Sequence, residues 1–297
     1  MAATPAPTAL GVEARASRGL WGDAFVRLRR NKPAIAGVVC ICIFVFVAIA
    51  APILAPYDPN KTAIGPSFGP PSQQHLAGMD KLGRDELSRV IFGARISLVV
   101  GIVSVTIGLL IGGFVGALAG GAGGKIDTVL MRGVDVMLAI PGILLAIGSV
   151  AWLGQGLPQI MLAVAVTNAP IFARILRGSL LAMRDAEFVT VARSMGANSR
   201  RLLLRHMLPN ALTALIVAAT LALATAIIDV AGLGFLGLGP GDPRVAEWGE
   251  MLTDSTEALR RAPWLIFAPG IAIVISAIGF NLLGDGLRES LDPRMKR

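Results

Sequence analysis

The sequence predicts an all-α membrane protein with six transmembrane helices, and three observations support this fold class. Hydrophobic residues make up 54% of the 297 residues and charged residues only 15%, against roughly 25% charged in soluble proteins. The mean hydropathy is +0.70, and the apolar residues occur in runs of about 20, the length of a helix that crosses a bilayer. No segment alternates apolar and polar residues over ten positions, which argues against a membrane barrel.

Six apolar runs, taken in order, are the predicted spans. The third contains Arg132 and Asp135, whose spacing of three suggests that they pair on one helix face. The fourth is short and carries Pro158 and Pro170, and the fifth is charged only at Asp229. The runs cover residues 34–54, 96–120, 128–152, 156–173, 211–232 and 264–283.

The chain before the second span is predicted to form a tail, a helix and a loop. Residues 1–33 are the N-terminal tail, and the first span, residues 34–55, begins too late and is too long for a signal peptide. Residues 56–95 are an external loop with an interfacial helix, in which Asp85 and Arg89 are expected to pair. The apolar face of that helix consists of Leu87, Val90, Ile91, Ala94 and Leu98.

The second span carries a small residue every four positions along one helix face. Stripes of this kind let two helices approach closely in a membrane. We therefore expect a contact with a neighbouring helix or a partner subunit along this face. The stripe consists of Gly108, Gly112, Gly116 and Gly120.

The connection between the fourth and fifth spans, residues 174–210, is too rich in helix-forming residues to be a slack linker. A first short helix is expected to end at Gly196-Ala-Asn-Ser, and a second to end or kink at Pro209. The connection should therefore form two short helices with a turn, lying against the membrane. The apolar stripe of the first helix consists of Phe188, Val191, Ala192 and Met195.

A second external loop, residues 233–263, follows the fifth span, and residues 287–297 form the C-terminal tail. The loop contains apolar residues at helical spacing, which predict another interfacial helix. These residues are Val245, Trp248, Met251, Leu252, Ser255 and Leu259.

Lysine and arginine residues predict the orientation. With the N-terminus in the cytoplasm, the inside segments hold 19 of these residues and the outside segments hold 8, as the positive-inside rule requires. Both termini are therefore expected in the cytoplasm. The net charge of +8 reflects this topology, and because the basic residues are spread over four inside segments, no nucleic-acid partner is expected.

The connection before the fifth span resembles a motif of the permease subunits of bacterial ABC importers. The motif is Glu-Ala-Ala, three residues, Gly, nine residues, Ile, one residue and Leu-Pro. The spacing matches at Ala192, Gly196, Leu208 and Pro209. The sequence departs from the motif at three positions, Thr190, Val191 and His206, and the nearest acid, Glu187, lies three residues early.

Three further segments resemble the dipeptide, oligopeptide and nickel branch of these permeases, and in particular its C-type subunit. They are HLAGMDKLGRDELSRVIFGARISLVVG (His75–Gly101), GLGFLGLG with EWGEML (Gly232–Leu252), and PWLIFAPG with NLLGDGLRESLDPR (Pro263–Arg294). The resemblance covers about residues 20–297.

This resemblance implies a type I ABC importer permease architecture, with a permease core over residues 96–286 and a cytoplasmic coupling helix that docks on an ATPase subunit. Small residues would allow close approach, polar and basic residues would meet the rim of the groove, and the proline would stiffen the joint to the fifth span. Without the motif, the arginines would be expected to meet anionic lipid instead. The implied coupling residues are Glu187, Ala192, Arg193, Ser194, Gly196, Ala197, Asn198, Ser199, Arg200, Leu208 and Pro209.

The resemblance also implies partners and a cargo. The partners are a homologous second permease subunit, two cytoplasmic ATPase subunits, an external substrate-binding protein and membrane lipid. The implied location is a bacterial inner membrane and the implied cargo is a di- or oligopeptide. Alternatives are a nickel chelate or glutathione as cargo, or an ATP-independent secondary transporter or channel, which would show inverted repeats and charges at mid-membrane.

Catalytic chemistry is not expected in this chain. It lacks the GxxxxGK[ST] phosphate loop and a nucleophile–base constellation, so ATP and Mg²⁺ would be bound by the partner ATPase subunits. Cys40 and Cys42 lie two residues apart in the first span, on different faces, and do not suggest a metal site or a disulfide. No cofactor is therefore expected in this chain.

Overall fold

The computed structural model describes residues 20–256 and 258–291. These two ranges contain eleven α-helical segments and two π-helical turns, and their only β-pairing is an isolated bridge between Met79 and Asp85. Two parts of the predicted tails lie outside the described residues, namely residues 1–19 and residues 292–297. The second of these includes Pro293 of the closing motif.

Helices cover the six apolar runs in order, and shorter helices lie before and between them. They are α1 (Leu20–Leu28), α2 (Lys32–Leu54), α3 (Glu86–Ala122), α4 (Gly124–Ala139), α5 (Gly142–Leu153), α6 (Leu157–Ala182), α7 (Glu187–Ser194), α8 (Ser199–Arg201), α9 (Leu208–Leu233), α10 (Trp248–Thr256) and α11 (Trp264–Leu291). The π-helical turns Leu202–Met207 and Gly234–Leu238 lie on either side of α9.

Six spans are present when one bent pair is counted as a single span. Among the described residues, α2, α3, α6, α11 and the 40-residue helix Ser199–Leu238 are each long and apolar enough to cross a bilayer. The sixth span is α4 with α5, which meet at an angle of 96°. The predicted all-α membrane fold is confirmed.

Three helices differ from the expectation at their ends or in their course. The expected interfacial helix before residue 96 is the first part of α3, which begins at Glu86 and continues without a break. The third run is interrupted at Pro141, because proline cannot donate a backbone bond and disfavours a helical residue before it. The short fourth run is a full 26-residue helix, which begins at Leu157, has Pro158 in its first turn and continues through Pro170.

Two expected ion pairs form with other partners. Asp85 caps α3 by accepting the Ser88 amide at 2.8 Å and lies 2.9 Å from the His75 ring. Arg89 instead points towards Asp80, with 3.8 Å between Nε and Oδ2. An N-cap hydrogen bond contributes more to helix stability than an ion pair between side chains four residues apart, and Asp85 therefore caps the helix.

Asp135 pairs with Arg174 of α6 rather than with Arg132 of its own helix. A neighbouring helix can bring a guanidinium to the carboxylate directly, whereas two side chains of one helix have to bend towards each other. The expected pair within α4 is therefore corrected.

The glycine stripe of α3 packs against α6, as predicted. A Cβ atom added to Gly108 would lie 2.9 Å from the Ala165 carbonyl oxygen, and one on Gly116 would lie 2.5 Å from that of Ala173. One on Gly112 would overlap the Ala169 carbonyl. Only glycine therefore lets the two backbones approach this closely.

Two hydrophobic clusters hold the remaining helices together. In the first, α5, α6 and α9 pack on α3 around Phe172 and Leu176. The second centres on Trp248 of α10, which is fully buried. Its ring nitrogen donates to the Val90 carbonyl at 3.0 Å, and Phe44 of α2 meets it edge-on at 5.9 Å between ring centroids. A buried tryptophan usually needs such a partner for its N–H group.

Candidate functional site

The connection between α6 and α9 is shorter than the sequence suggests. Residues 174–182 belong to α6, so the segment that leaves the spans begins at Met183. Arg184 then donates from Nη2 to the Gly120 carbonyl at 2.9 Å. This bond attaches the connection to the last turn of α3.

A single fully buried side chain anchors α7. Val189 is 0% exposed and joins the first hydrophobic cluster, and Ala192 packs against the same cluster. Three other members of the predicted apolar stripe are exposed instead, with exposed fractions of 44% for Phe188, 58% for Val191 and 83% for Met195. Most of the stripe therefore faces away from the fold. The small alanine lies towards the fold and the large side chains lie away from it.

Gly196 ends α7 in a left-handed conformation with a φ of +86°. Its amide donates to the Arg193 carbonyl at 3.0 Å, and the Ala197 amide donates to the Ala192 carbonyl at 3.1 Å. These two bonds form a Schellman motif, in which a residue with a side chain would cost about 1–2 kcal/mol. A Cβ atom here would meet nothing within 4 Å, so conformation rather than crowding within this chain requires glycine.

Asn198 begins the next helix. Its Oδ1 accepts the Arg201 amide at 2.8 Å, which makes it the N-cap of α8. Ser199 and Arg200 follow in exposed positions. The turn from Gly196 to Asn198 is thus held by the backbone and by this one cap, which fixes the angle between α7 and α8.

Pro209 does not end the helix that precedes it. The π-helical turn Leu202–Met207 leads directly into α9, and the Leu208 amide donates to the Leu203 carbonyl in the wider π pattern. Proline removes one bond from the helical ladder, and a π-helical turn is a local widening in which such a loss is tolerated. Of the two expectations for Pro209, an end or a kink of the helix, the end is corrected, because the helix continues through Pro209 after a local π-helical turn.

The predicted coupling residues divide between two sides of this segment. Ala192, Ala197 and Leu208 pack against the first hydrophobic cluster, and Pro209 is exposed at the start of α9. The other side is solvent-exposed, and we call it the coupling surface. It comprises Glu187, Phe188, Val191, Arg193, Ser194, Met195, Gly196, Asn198, Ser199 and Arg200.

Sequence reasoning missed the outward position of Phe188, Val191 and Met195. Helical spacing alone carries no signal for this direction, because Ala192 lies four residues from Phe188 and three from Met195, on the same helix face.

Two family models match the chain. The binding-protein-dependent transport system inner membrane component matches residues 108–297, which is more than half of the chain. The chain belongs to this family. The N-terminal transmembrane domain of oligopeptide transport permease C matches residues 19–79 of the same permease.

Curated relatives extend the likeness over nearly the whole permease. The dipeptide transport system permease protein DppC of Alkalihalophilus pseudofirmus is 44% identical over 276 residues, 93% of this chain and 90% of the relative. The oligopeptide transport system permease protein OppC of Bacillus subtilis is 40% identical over 281 residues, 95% and 92% of the two chains. The glutathione transport system permease protein GsiD of Escherichia coli is 43% identical over 277 residues, 93% and 91%.

The fold of this permease also occurs in a solved structure. The inward-facing MetNI methionine ABC transporter contains a chain that matches with a TM-score of 0.58 at 23% identity, covering 69% of this chain and 96% of that chain. At this identity the likeness concerns the fold, which is that of a type I ABC importer permease. The chain is thus a multi-pass membrane permease subunit of an ABC importer.

Proposed function

We propose that this permease is the C-type subunit of an ATP-driven importer of di- or oligopeptides in a bacterial inner membrane. It pairs with a homologous second permease and two cytoplasmic ATPase subunits, and it receives cargo from an external substrate-binding protein. ATP and Mg²⁺ are bound by the ATPase subunits, and both termini of this chain lie in the cytoplasm. The names of the DppC and OppC relatives support a di- or oligopeptide as the cargo.

The exposed apolar part of the coupling surface carries the coupling role. Phe188, Val191 and Met195 lie on a segment outside the spans, beside the exposed Arg193 and Arg200. An exposed apolar patch with a polar rim is typical of a surface that binds another protein. The open space at Gly196 lets that protein approach the backbone closely.

Insertion of the same side chains into lipid is the alternative for this surface. An amphipathic helix can bury its apolar face in the inner leaflet while its arginines meet anionic headgroups. Docking to an ATPase is favoured because Ala192, Gly196 and Leu208-Pro209 match the family motif in spacing. The backbone geometry gives two of these positions a physical reason, namely the inward packing of Ala192 and the left-handed turn at Gly196.

Glutathione is the second candidate cargo. The GsiD relative is as similar to this chain as the peptide permeases are, at 43% identity. Glutathione is itself a small peptide-like molecule, so the same pathway can suit both. Competition for uptake between a dipeptide, an oligopeptide, a nickel chelate and glutathione separates these cargoes in the assembled importer.

Gly196→Arg tests the coupling role in the assembled importer, reconstituted in lipid vesicles with its binding protein. The variant should remain in the complex but lose ATP-driven uptake by roughly tenfold or more, since a loss of about 1.4 kcal/mol of docking free energy is a factor of ten. The reason is that a long charged side chain fills the open space beside the turn. Gly196→Asn is the matched control, because asparagine tolerates the left-handed conformation and is short.

Normal ATP-driven uptake by Gly196→Arg would contradict the proposal. Equal loss in the arginine and asparagine variants would assign the effect to backbone conformation rather than to docking. Uptake by the wild-type chain that persists without ATP would support the secondary transporter instead.

A further inference from the structure

A groove of about 650 Å³ lies at the proposed outer ends of the first two spans. One wall is the end of α2 with the residues that follow it, another is the first part of α3, and the third is the segment before α10. Clefts that bind a small ligand have volumes of this order, whereas a folded protein needs a much wider surface. The residues that line the groove include Pro52, Tyr57, Phe92, Ile96, Arg244 and Ala246.

Two walls of the groove continue along the spans as exposed apolar strips. On α3, Phe92 and Ile96 lie one turn apart, and Val99, a further turn along, is 49% exposed. On α2, Ile49 and Ile53 are also one turn apart and are 74% and 88% exposed. The groove therefore connects the water–membrane boundary with two surfaces that hydrocarbon chains can follow.

The rest of the groove carries charged side chains of both signs. Arg244 is held by Asp242, whose two carboxyl oxygens accept from its Nε and Nη2 at 3.1 Å each. Arginine has more N–H donors than this pair uses, so it can bind a further oxyanion. Asp58 also lines the groove and is exposed, and its Oδ1 accepts the Asn60 amide at 2.8 Å. A guanidinium and a carboxylate are thus both held in place by near neighbours.

This pattern of charge and apolar surface matches a zwitterionic phospholipid. The phosphate of such a lipid suits Arg244, and the ammonium that follows the phosphate in the head group suits Asp58. An anionic lipid would be indicated by a cluster of basic residues, but here Asp58 and Asp242 lie with Arg244. Ethanolamine fits better than choline, because only its ammonium has N–H groups that can donate to a carboxylate.

A helix of the second permease is the alternative occupant. An apolar helix in this groove would desolvate Arg244 and Asp58 without supplying partners for them, which costs free energy. Three prolines, Pro52, Pro56 and Pro59, also line the groove. Because proline has no amide hydrogen, these residues offer no backbone donors to an approaching chain. A lipid, which brings its own charges and hydrocarbon, meets both requirements.

We propose that this groove binds an ethanolamine phospholipid of the outer leaflet, with its phosphate on Arg244, its ammonium on Asp58 and its acyl chains along α2 and α3. The bound lipid would join the end of the first span to the segment before α10. The site is independent of the cargo, and only the choice of leaflet depends on the proposed orientation of the chain.

Photo-crosslinking tests this site in the assembled importer. The test is made in membranes, because detergent competes for an apolar groove. Vesicles of phosphatidylcholine contain a small fraction of phosphatidylethanolamine with a diazirine in the acyl chain near the glycerol, and the label is located by mass spectrometry of the digested chain. We expect most of it on residues 52–60 and 92–96. Unmodified phosphatidylethanolamine should compete roughly tenfold better than phosphatidylglycerol, which lacks the ammonium for Asp58.

Two variants remove the proposed head-group contacts. Arg244→Glu and Asp58→Asn should each lower the label in the groove by roughly tenfold and leave the label elsewhere on α2 unchanged. Arg260→Glu is the matched control, because Arg260 is an exposed arginine of the same external loop and does not line the groove. It should label as the wild type does.

Equal labelling of the groove in the wild type, Arg244→Glu and Asp58→Asn would overturn the proposal, because the lipid there would then be bulk solvent. A groove without label, on an α2 that is labelled elsewhere, would overturn it as well, since a protein would then cover the site. Uptake is not part of the readout, so a failure of the proposed cargo would leave this result unaffected.

Discussion

Two connecting regions of this permease differ in which side chains they bury and which they expose. The outer cap, by which we mean residues 56–85 with 239–256 and 258–263 on the proposed outer side, buries charged side chains such as Arg84 and Asp85, which are 2% and 0% exposed. The coupling surface exposes apolar side chains such as Val191 and Met195. Either arrangement costs free energy unless the groups find partners. The outer cap finds its partners within the chain, whereas the coupling surface needs another molecule.

The partners inside the outer cap join two separate loops. Asp80 accepts the Leu82 amide at 2.8 Å and the Nε of Arg84 at 2.5 Å. The Nη1 of Arg84 also donates to the Pro243 carbonyl at 2.6 Å, in the loop before α10. Lys81 reaches Asp254 of α10 at 2.6 Å. The cap is therefore held in one arrangement by polar contacts, which would suit the docking of the substrate-binding protein in the proposed importer.

Removal of the Arg84 guanidinium, which lies at the centre of the outer cap, should have the largest effect on stability. Arg84→Ala leaves Asp80 buried without its strongest partner and breaks the link to Pro243. Loss of one member of a buried pair costs about 3–5 kcal/mol, so we expect a clear fall in the thermal unfolding temperature of the detergent-purified permease.

The matched control is Arg244→Ala, which removes an exposed arginine of the same cap that pairs with Asp242. We expect no measurable change in unfolding temperature, because exposed pairs contribute little. If both variants unfold at the wild-type temperature, the polar contacts of the cap do not stabilise it, and the contrast between the two regions is lost.

A charge on the coupling surface should have a smaller effect, on transport alone. Val191→Asp places a carboxylate in the exposed apolar patch, where docking would have to desolvate it. We expect the unfolding temperature of the isolated permease to stay the same and ATP-driven uptake to fall by roughly tenfold, which corresponds to about 1.4 kcal/mol. Uptake by vesicles and unfolding of the purified chain are the two measurements.

Val189→Asp is the control at the neighbouring position. Val189 is buried in the first hydrophobic cluster, so an aspartate there should lower the unfolding temperature, because a buried charge is unpaired. A Val191→Asp variant that transports normally would indicate that the exposed patch meets neither a partner protein nor any surface that transport requires.

The sequence predicts the spans well, because a helix that crosses a bilayer needs a long apolar run, and such runs are rarely found in other structures. The stripe from Gly108 to Gly120 likewise predicts its contact, since four residues bring each glycine back to the same helix face. The break at Pro141 was not predicted, because proline within a membrane helix can be tolerated, as Pro170 is in α6. Which proline breaks a helix depends on the packing around it.

The direction of side chains was harder to predict than the helices themselves. Periodicity shows that Phe188, Val191 and Met195 share a face, but it does not show whether that face meets the fold, lipid or a partner. The partner of a charged side chain is equally hard to predict. Asp85, for example, caps α3 instead of pairing with Arg89. Long-range contacts decide such choices, and a single sequence does not contain them.

The smallest predicted effect is a dependence of the cap on pH, through Glu250 at the start of α10. Burial, with added repulsion from Asp254 and Glu247, raises the pKa of Glu250 from 4.5 to about 7. One of its carboxyl oxygens is buried without a hydrogen-bond partner among the described residues. The neutral form is therefore favoured in the folded cap, because ionisation would place another negative charge beside two acidic residues.

Because the folded pKa lies above the ordinary value, the folded state binds this proton more tightly than the unfolded state does. Its stabilising effect is complete below pH 4.5 and is lost as the pH rises through about 7. We expect the permease to unfold at a slightly lower temperature at about pH 8 than at about pH 6. Glu250→Gln should remove this part of the difference, because glutamine stays neutral at both values. If the variant keeps the whole wild-type difference, the titrating group lies elsewhere, and the cap tolerates ionised Glu250 without loss of stability.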